Sequence, residues 1–225
     1  MQDLRRQWPS APYVIPFGVF MFLLAVQPYV PLPQTLEFAL RCAILAAVLW
    51  YFSRDVISFR LERPLASLAL GVAVFFLWIG PDALIPGYRQ YWLFTNSITG
   101  QVTTTLDAAS QSDVVALVFR MLRAVILVPI IEELFWRAWA LRWVARTDFQ
   151  SLPLGSYTRS SFLIVAALFA AEHGPYWEVG LLCGFIYNWW MGKTKSLGDL
   201  IFTHAVTNAC LCAYVLLAKK WEYWM

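Results

Sequence analysis

Three charged residues stand inside an apolar part of this sequence. The segment PIIEELFWRAW at residues 129–139 contains Glu132, Glu133 and Arg137, and apolar stretches flank it on both sides. The pattern predicts a membrane helix, where an ionised side chain at the centre costs roughly 2.5–3.5 kcal/mol on insertion scales. Charges at such positions are candidates for function, and carboxylates are among the groups that perform general acid–base catalysis.

The spacing of the three charges predicts one ion pair and one unpaired carboxylate. Glu133 and Arg137 are four residues apart, one helical turn, so they can neutralise each other. Glu132 is rotated by about 100° from Glu133 on an ideal helix and lacks that partner. An unpaired carboxylate in an apolar setting suits a general base near neutral pH. A purely structural network that holds helices together is the alternative interpretation.

The chain has two histidines, and both lie in late apolar segments. His173 ends FLIVAALFAAEH, and His204 lies in DLIFTHAVTNACLCAYVL. Asn208 follows His204 by four residues, so the two side chains share a helix face. A single histidine on an apolar face is more often a core residue. Together with an unpaired glutamate, however, this set could polarise a water, hold an oxyanion or bind a metal.

The composition indicates the elements that must position these residues. Of 225 residues, 60% are hydrophobic and 14% are charged, whereas soluble domains average roughly 45–50% and about 25%. We therefore expect an all-α, polytopic membrane protein that forms a single integral membrane domain over residues 1–225. The net charge of +3 is too small for a nucleic-acid surface. The four cysteines form no CxxC motif and support neither a disulfide framework nor a thiolate metal site.

Seven apolar segments approach the roughly 20 residues that a membrane-spanning helix needs. They cover about 12–30, 36–53, 65–80, 113–136, 160–173, 176–192 and 197–218. The fifth and sixth are short and are joined by Gly174-Pro175, a turn signal. We expect about 7–8 transmembrane helices with a polar catalytic cavity between the late ones. Residues 81–112 are predicted to form a long polar connection with an interfacial helix near YRQYWLF.

Two other charged pairs lie in apolar segments. Glu37 and Arg41 are four residues apart near a helix start, which favours a local ion pair. Arg120 and Arg123 share a helix face, and they can either pair with acidic groups elsewhere or bind headgroups. The sequence does not decide between these two interpretations.

Three short motifs in this order resemble a known protein family. They are EELFWR (E-E-x-x-x-R), FAAEH (F-x-x-x-H) and HAVTN (H-x-x-x-N), with GFIYNWWMGKTKSLGDLIF leading into the last. The chain resembles the CAAX prenyl endopeptidase and bacteriocin-processing family of intramembrane proteases. The resemblance covers about residues 113–213, which we treat as the catalytic core. The size and motif variants are most similar to the bacterial branch associated with exosortase sorting systems.

The resemblance implies a role for each motif residue. Glu132 and His173 would activate a water for attack on a peptide carbonyl, and His204 and Asn208 would stabilise the oxyanion or position that water. Glu133 and Arg137 would support the helix that carries Glu132. Which of the two glutamates is the base stays open at this point.

A metal stays open as well. A divalent ion such as zinc could be held by Glu132, His173 and His204, but no H-E-x-x-H motif is present. Asparagine is also a poor zinc ligand, and a metal-bound Glu132 could not act as a free base. The residues therefore slightly favour a mechanism without a metal.

The expected function is hydrolysis of a peptide bond in a membrane-associated or lipidated protein or peptide. The expected location is the inner (plasma) membrane as a multi-pass protein, with the lipid bilayer, the substrate and an exosortase-type sorting system as partners and without nucleic acid. Two alternatives remain. One is a non-catalytic bacteriocin self-immunity or scaffold protein that binds a peptide in the same cavity. The other is a transporter or proton relay, although no internal repeat of the kind common in transporters is visible.

Overall fold

The computed structural model describes residues 7–224, and helices form nearly all of its regular structure. Within this range the one β-type pairing is an isolated bridge between Asn96 and Gly100. The prediction of an all-α fold is confirmed. We number seven helices: α1 Ala11–Val26, α2 Gln34–Val48, α3 Pro64–Leu84, α4 Val114–Ala145, α5 Arg159–Ala171, α6 Trp177–Thr194 and α7 Leu197–Ala218.

Five of these helices are long and apolar enough to cross a membrane. They are α1 with a 3₁₀ turn to Tyr29, α2 with a π-helical extension to Ser53, α3, α4 and α7. Large apolar side chains such as Phe22, Phe76 and Leu217 are exposed on their outer faces, as expected of surfaces that contact lipid. The chain is therefore a membrane protein. Helix α5 has 13 residues, about 20 Å, so the number of 7–8 crossings stays a prediction.

Helix α4 is longer than the sequence predicted. The apolar pattern placed its end near residue 136, but the helix continues to Ala145. It continues because Arg137 is fully buried and paired, so this charge does not end the span. Two π-helical segments, Arg123–Leu127 and Leu134–Ala140, interrupt its α-helical hydrogen bonding. Such segments are frequent at functional sites, and these two flank the glutamate pair.

The start of α4 is fixed by a helix cap. The Asp113 carboxylate accepts hydrogen bonds from the backbone N–H groups of Val115 and Ala116, which otherwise lack partners in the first turn. The Thr35 hydroxyl of α2 donates to the same carboxylate at 2.5 Å. The connection before α4 contains a short 3₁₀ turn at Tyr88–Gln90 rather than a longer interfacial helix.

Helix α7 packs closely against α3. A Cβ atom at Gly71 would lie 2.6 Å from the Thr203 carbonyl oxygen, so only glycine allows this approach. The buried Asp199 carboxylate accepts hydrogen bonds from the backbone N–H groups of Glu62 and Arg63 and from the Ser67 hydroxyl. These contacts fix the position of α7, which carries His204 and Asn208.

Helices α5 and α6 form a hairpin, with its turn at the Gly174-Pro175 pair that the sequence marked as a turn signal. The turn between them is a 3₁₀ turn at Gly174–Tyr176, and Gly174 has a positive φ of 53°. Within the hairpin, a Cβ atom at Gly184 would lie 2.9 Å from Ala166 Cα. The close packing of this hairpin places the turn, and His173 just before it, at the end of the cavity described next.

Candidate active site

Four predicted site residues meet at one internal cavity. Glu132, His173, His204 and Asn208 all line a cavity of about 250 Å³ between α1, α3, α4, α5, α6 and α7. Glu132 comes from the middle of α4, His173 follows α5, and the other two lie one turn apart on α7. Residues far apart in the sequence are thus brought to a common space that is large enough for water and a short segment of substrate.

Glu132 is the carboxylate that faces this cavity. Its side chain is buried, and Oε2 accepts no hydrogen bond from any residue that the structure describes. A buried carboxylate oxygen without a donor is energetically costly in a structural role. The arrangement therefore suits a group that receives a proton from a bound water.

Glu133 does not line the cavity, and one of its carboxylate oxygens accepts two hydrogen bonds. Its Oε1 accepts hydrogen bonds from Arg137 Nη1 at 3.2 Å and from His204 Nδ1 at 2.7 Å. The pair with Arg137 is the one that the spacing predicted, whereas the contact with His204 could not be read from spacing. Because Nδ1 of His204 donates to Glu133, its Nε2 is the nitrogen left for the cavity.

Arg137 is held by contacts from two further helices. Its Nε donates to Asn188 Oδ1 of α6 at 3.2 Å, and its guanidinium lies 4.1 Å from the ring centroid of Phe169 in α5. Asn188 Nδ2 in turn donates to the Phe162 carbonyl at 3.0 Å. Sequence reasoning missed Asn188, although it is a polar residue in the apolar stretch GFIYNWWM. The glutamate–arginine pair therefore connects α4, α5, α6 and α7.

The imidazole of His173 has a fixed orientation. Its Nδ1 lies 2.6 Å from the Phe169 carbonyl oxygen, and a carbonyl can only accept, so Nδ1 carries the proton. Gly180 of α6 lies against the ring, where an added Cβ would be 3.2 Å from its atoms. His173 thus presents the lone pair of Nε2 as a proton acceptor or metal ligand.

Glu172 is a site residue that the motifs did not include. Trp136 Nε1 donates to its Oε1 at 2.9 Å, while its buried Oε2 accepts no hydrogen bond from the described residues. Ligand atoms of Glu132, Glu172 and His173 all lie within 4.8 Å of one another. The available signal was a second acidic residue next to a histidine in an apolar segment.

These three residues are also the set that could hold a metal ion in the described part of the chain. Two carboxylates and one imidazole are donors that zinc accepts, with a fourth position left open. The set differs from the predicted one, since Glu172 takes the place of His204. His204 is instead engaged by Glu133.

Asn208 is anchored beside the first π-helical segment of α4. Its Nδ2 donates to the Ala124 carbonyl at 2.7 Å, and the amide still lines the cavity. The spacing correctly predicted that it shares a face with His204. One N–H and the amide oxygen stay available to orient a water or a substrate carbonyl.

Residues 114–210 match the family model described as type II CAAX prenyl endopeptidase Rce1-like. No curated protein and no solved structure matches the chain. The matched segment begins with α4 and ends inside α7, so it includes every residue of the cavity site named above. The first three helices lie outside the match, and the similarity to the exosortase-associated branch stays a prediction.

Proposed function

We propose that the protein is an intramembrane endopeptidase of the type II CAAX prenyl endopeptidase Rce1-like family, whose model matches residues 114–210. It hydrolyses a peptide bond of a membrane-associated or lipidated protein or peptide. One observation carries the assignment of the base. Glu132 lines the cavity with a carboxylate oxygen that accepts no hydrogen bond from the described residues, whereas Glu133 does not line the cavity and is engaged through Oε1 by Arg137 and His204.

The first step is the activation of water. Glu132 takes one proton from a water that also donates a hydrogen bond to Nε2 of His173, and the water oxygen bonds to the substrate carbonyl carbon. The π electrons of the carbonyl move to its oxygen, which becomes the oxyanion of a tetrahedral intermediate. Two fixed acceptors around one water supply both the base and the orientation that this attack requires.

The second step is the collapse of the intermediate. With protons on both ring nitrogens, His204 donates through Nδ1 to Glu133 and through Nε2 to the oxyanion, while an Asn208 N–H supplies a second donor. The carbonyl then reforms as the C–N bond breaks, and the leaving nitrogen takes the proton held by Glu132. The carboxylate of Glu132 is thereby restored for the next turnover.

A divalent metal is compatible with the donor types present but is not required by these steps. Glu132, Glu172 and His173 would hold it, and it would supply Lewis-acid activation of a water. Glu132 would then be a ligand rather than the base. The engagement of His204 by Glu133 leaves a single imidazole for a metal at this site, which favours the mechanism without one.

We place the protein in the inner (plasma) membrane as a multi-pass enzyme, with an exosortase-type sorting system as its partner. The cavity lies among helices that are long and apolar enough to cross the bilayer, which suits a substrate held at the membrane. This placement rests on the apolar helices and on the family match.

The proposal is tested with purified protein in nanodiscs and a panel of fluorogenic peptides, with and without a lipid anchor. We expect cleavage by the wild type and loss of cleavage in Glu132→Gln and His173→Ala. Glu62→Gln changes the same chemistry at an exposed position and serves as the control. Equal cleavage by wild type and Glu132→Gln would falsify the proposal, and peptide binding without cleavage by any form would favour the non-catalytic alternative.

A further inference from the structure

A second cavity lies at the end of the helix bundle where α7 begins, and the proposed hydrolysis does not use it. Its volume is about 410 Å³, which is within the range of about 300–1,000 Å³ that is typical of ligand sites. Its walls come from the α2–α3 connection, the α4–α5 connection, the end of α6 and the start of α7. It shares no lining residue with the catalytic cavity.

This second cavity, called the basic pocket below, carries an excess of positive charge. Its charged lining residues are Arg60, Glu62, Arg63, Lys193 and Lys195. Glu62 pairs with Arg60 at 2.9 Å. Among the described residues, no carboxylate forms an ion pair with any of the other three cations. Three positive charges thus surround one concave space, which suits an anion.

A buried acid beside the basic pocket is satisfied by other donors. Asp199 of α7 does not line the pocket, and its carboxylate accepts hydrogen bonds from the backbone N–H groups of Glu62 and Arg63 and from the Ser67 hydroxyl. The Ser196 hydroxyl donates to the Arg60 carbonyl at 3.0 Å. The α2–α3 connection is therefore fixed to the first turn of α7, and the backbone that carries Arg63 has a defined position.

Lys195 is positioned through its apolar stem. A Cβ atom added to Gly155 would lie 3.1 Å from Lys195 Cγ and 2.6 Å from the Met191 carbonyl oxygen. Gly155 has a φ of +79°, so glycine lets the α4–α5 connection lie against the end of α6. A long basic side chain packs its methylene groups on protein and keeps its charged end in a polar place. For Lys195 that place is the basic pocket, which it lines.

The surroundings of the basic pocket indicate which kind of anion it meets. Phe59 and Leu65 stand on either side of the Arg60–Arg63 segment in the sequence and are 62% and 80% exposed. Helices α3 and α7, which are apolar and long enough to cross a membrane, begin at Pro64 and Leu197. The pocket therefore lies where the apolar part of the bilayer ends, at the level of the lipid phosphates. Exposed apolar side chains at that level suit acyl chains, which a free anion does not have.

We propose that the basic pocket binds the phosphate of an anionic phospholipid, with Arg63, Lys193 and Lys195 as its charged contacts. Clusters of lysine and arginine next to membrane spans attract anionic lipids, and such clusters mark the cytoplasmic side. The bound phosphate bridges the α2–α3 connection and the end of α6, beside the helix that carries His204. The lipid stabilises the folded chain by mass action and takes no part in the hydrolysis.

The test measures binding of phosphatidylglycerol and phosphatidylcholine to the full chain in detergent micelles by native mass spectrometry. Each basic residue near an anionic surface contributes about fivefold to affinity, so three of them predict an about 100-fold preference of the wild type for phosphatidylglycerol. Lys193→Gln/Lys195→Gln should keep a preference of about fivefold. The matched control Lys219→Gln/Lys220→Gln removes two exposed lysines at the other end of α7, about 33 Å away, and should keep the full preference.

A third variant makes the test independent of the lysine pair. Arg63→Gln changes a cation on a different connection and should weaken phosphatidylglycerol binding about fivefold. All the substituted side chains are exposed, so the unfolding temperature in phosphatidylcholine should equal that of the wild type. Added phosphatidylglycerol should raise this temperature for the wild type and the control but not for Lys193→Gln/Lys195→Gln.

Three results would overturn the proposal. The first is equal affinity of the wild type for the two lipids, and the second is an equal loss of preference in the basic-pocket variant and its control. The third concerns the source of the phosphate, and inorganic phosphate alone is the probe. We expect an excess of inorganic phosphate to leave phosphatidylglycerol bound. Displacement of the lipid by inorganic phosphate, with the same rise in unfolding temperature, would assign the pocket to a free anion instead.

Discussion

The adjacent glutamates are expected to respond in opposite ways to the same substitution. Glu133→Gln removes the charge that holds both Arg137 and His204, and it turns an NH₂ group toward donors. Removal of one partner from a buried pair costs about 3–5 kcal/mol. At about 2–4 °C per kcal/mol for a chain of this size, the lower figure predicts an unfolding temperature about 6–12 °C below wild type.

Glu132→Gln removes a carboxylate with a buried oxygen that accepts no hydrogen bond from the described residues. No ion pair is lost, and a neutral amide is easier to bury than a charged group. The unfolding temperature should therefore equal or exceed that of the wild type, while hydrolysis is abolished. Substitution of Glu132 therefore lowers activity without lowering stability, whereas substitution of Glu133 lowers both.

The activity of Glu133→Gln follows from the orientation of His204. Partners that orient a metal-binding histidine contribute about 10- to 100-fold. By analogy we expect kcat to fall by about 100-fold, about 2.7 kcal/mol in the barrier. Scanning fluorimetry and initial rates in nanodiscs measure both effects, with Glu62→Gln as the exposed control. If Glu132→Gln unfolds as early as Glu133→Gln, the two glutamates do not have the separate roles argued here.

Three further outcomes test other parts of the structure. Gly180→Ala places a methyl group against the His173 side chain and should lower kcat roughly tenfold. Gly18→Ala, with no atom within 4 Å of the added Cβ, should leave kcat unchanged. Equal kcat values for the two variants would contradict the role of this packing. The hydrogen bond from Thr35 lowers the pKa of Asp113. The stabilisation from this group is therefore full above its unfolded pKa of about 3.9 and is lost as the pH falls below it. Asp113→Ala should unfold earlier than Asp113→Asn at pH 7, because asparagine still caps the helix, and a scan of unfolding temperature from pH 7 to pH 3 should show a smaller decline for Asp113→Ala than for wild type. Dialysis against a chelator should leave the rate of hydrolysis unchanged if Glu132 is the free base. A loss of hydrolysis that added zinc restores would show that Glu132 is a metal ligand instead.

The helical membrane fold could be predicted because each helix is determined largely by the residues of its own segment. Long apolar segments and the Gly174-Pro175 turn mark where helices begin and end, and the structure follows them closely. The end of α4 could not be predicted in this way. Arg137 marks a boundary in the sequence, and its contacts with Asn188 and Phe169, together with the pair with Glu133, make it an interior residue.

Part of the candidate site could also be predicted from local sequence. The four cavity residues could be named from their types and from their positions in apolar segments. Glu172 could not be assigned, since its role depends on Trp136, 36 positions away in the sequence. The positions of Arg120 and Arg123 in the cavity also needed the structure. Their spacing alone was consistent with pairing to acidic groups and with binding of lipid headgroups.

The different fates of two adjacent glutamates follow from helix geometry and from neighbours on other helices. A rotation of about 100° between consecutive residues lets one carboxylate face α7 while the other faces the cavity. His204 then decides their roles, because its Nδ1 needs an acceptor and Glu133 is the one in reach at 2.7 Å. Had His204 bonded to Glu132, the cavity would contain no carboxylate free to act as the base. The same contact that orients His204 thus keeps Glu132 available, so positioning and catalysis depend on a single hydrogen bond.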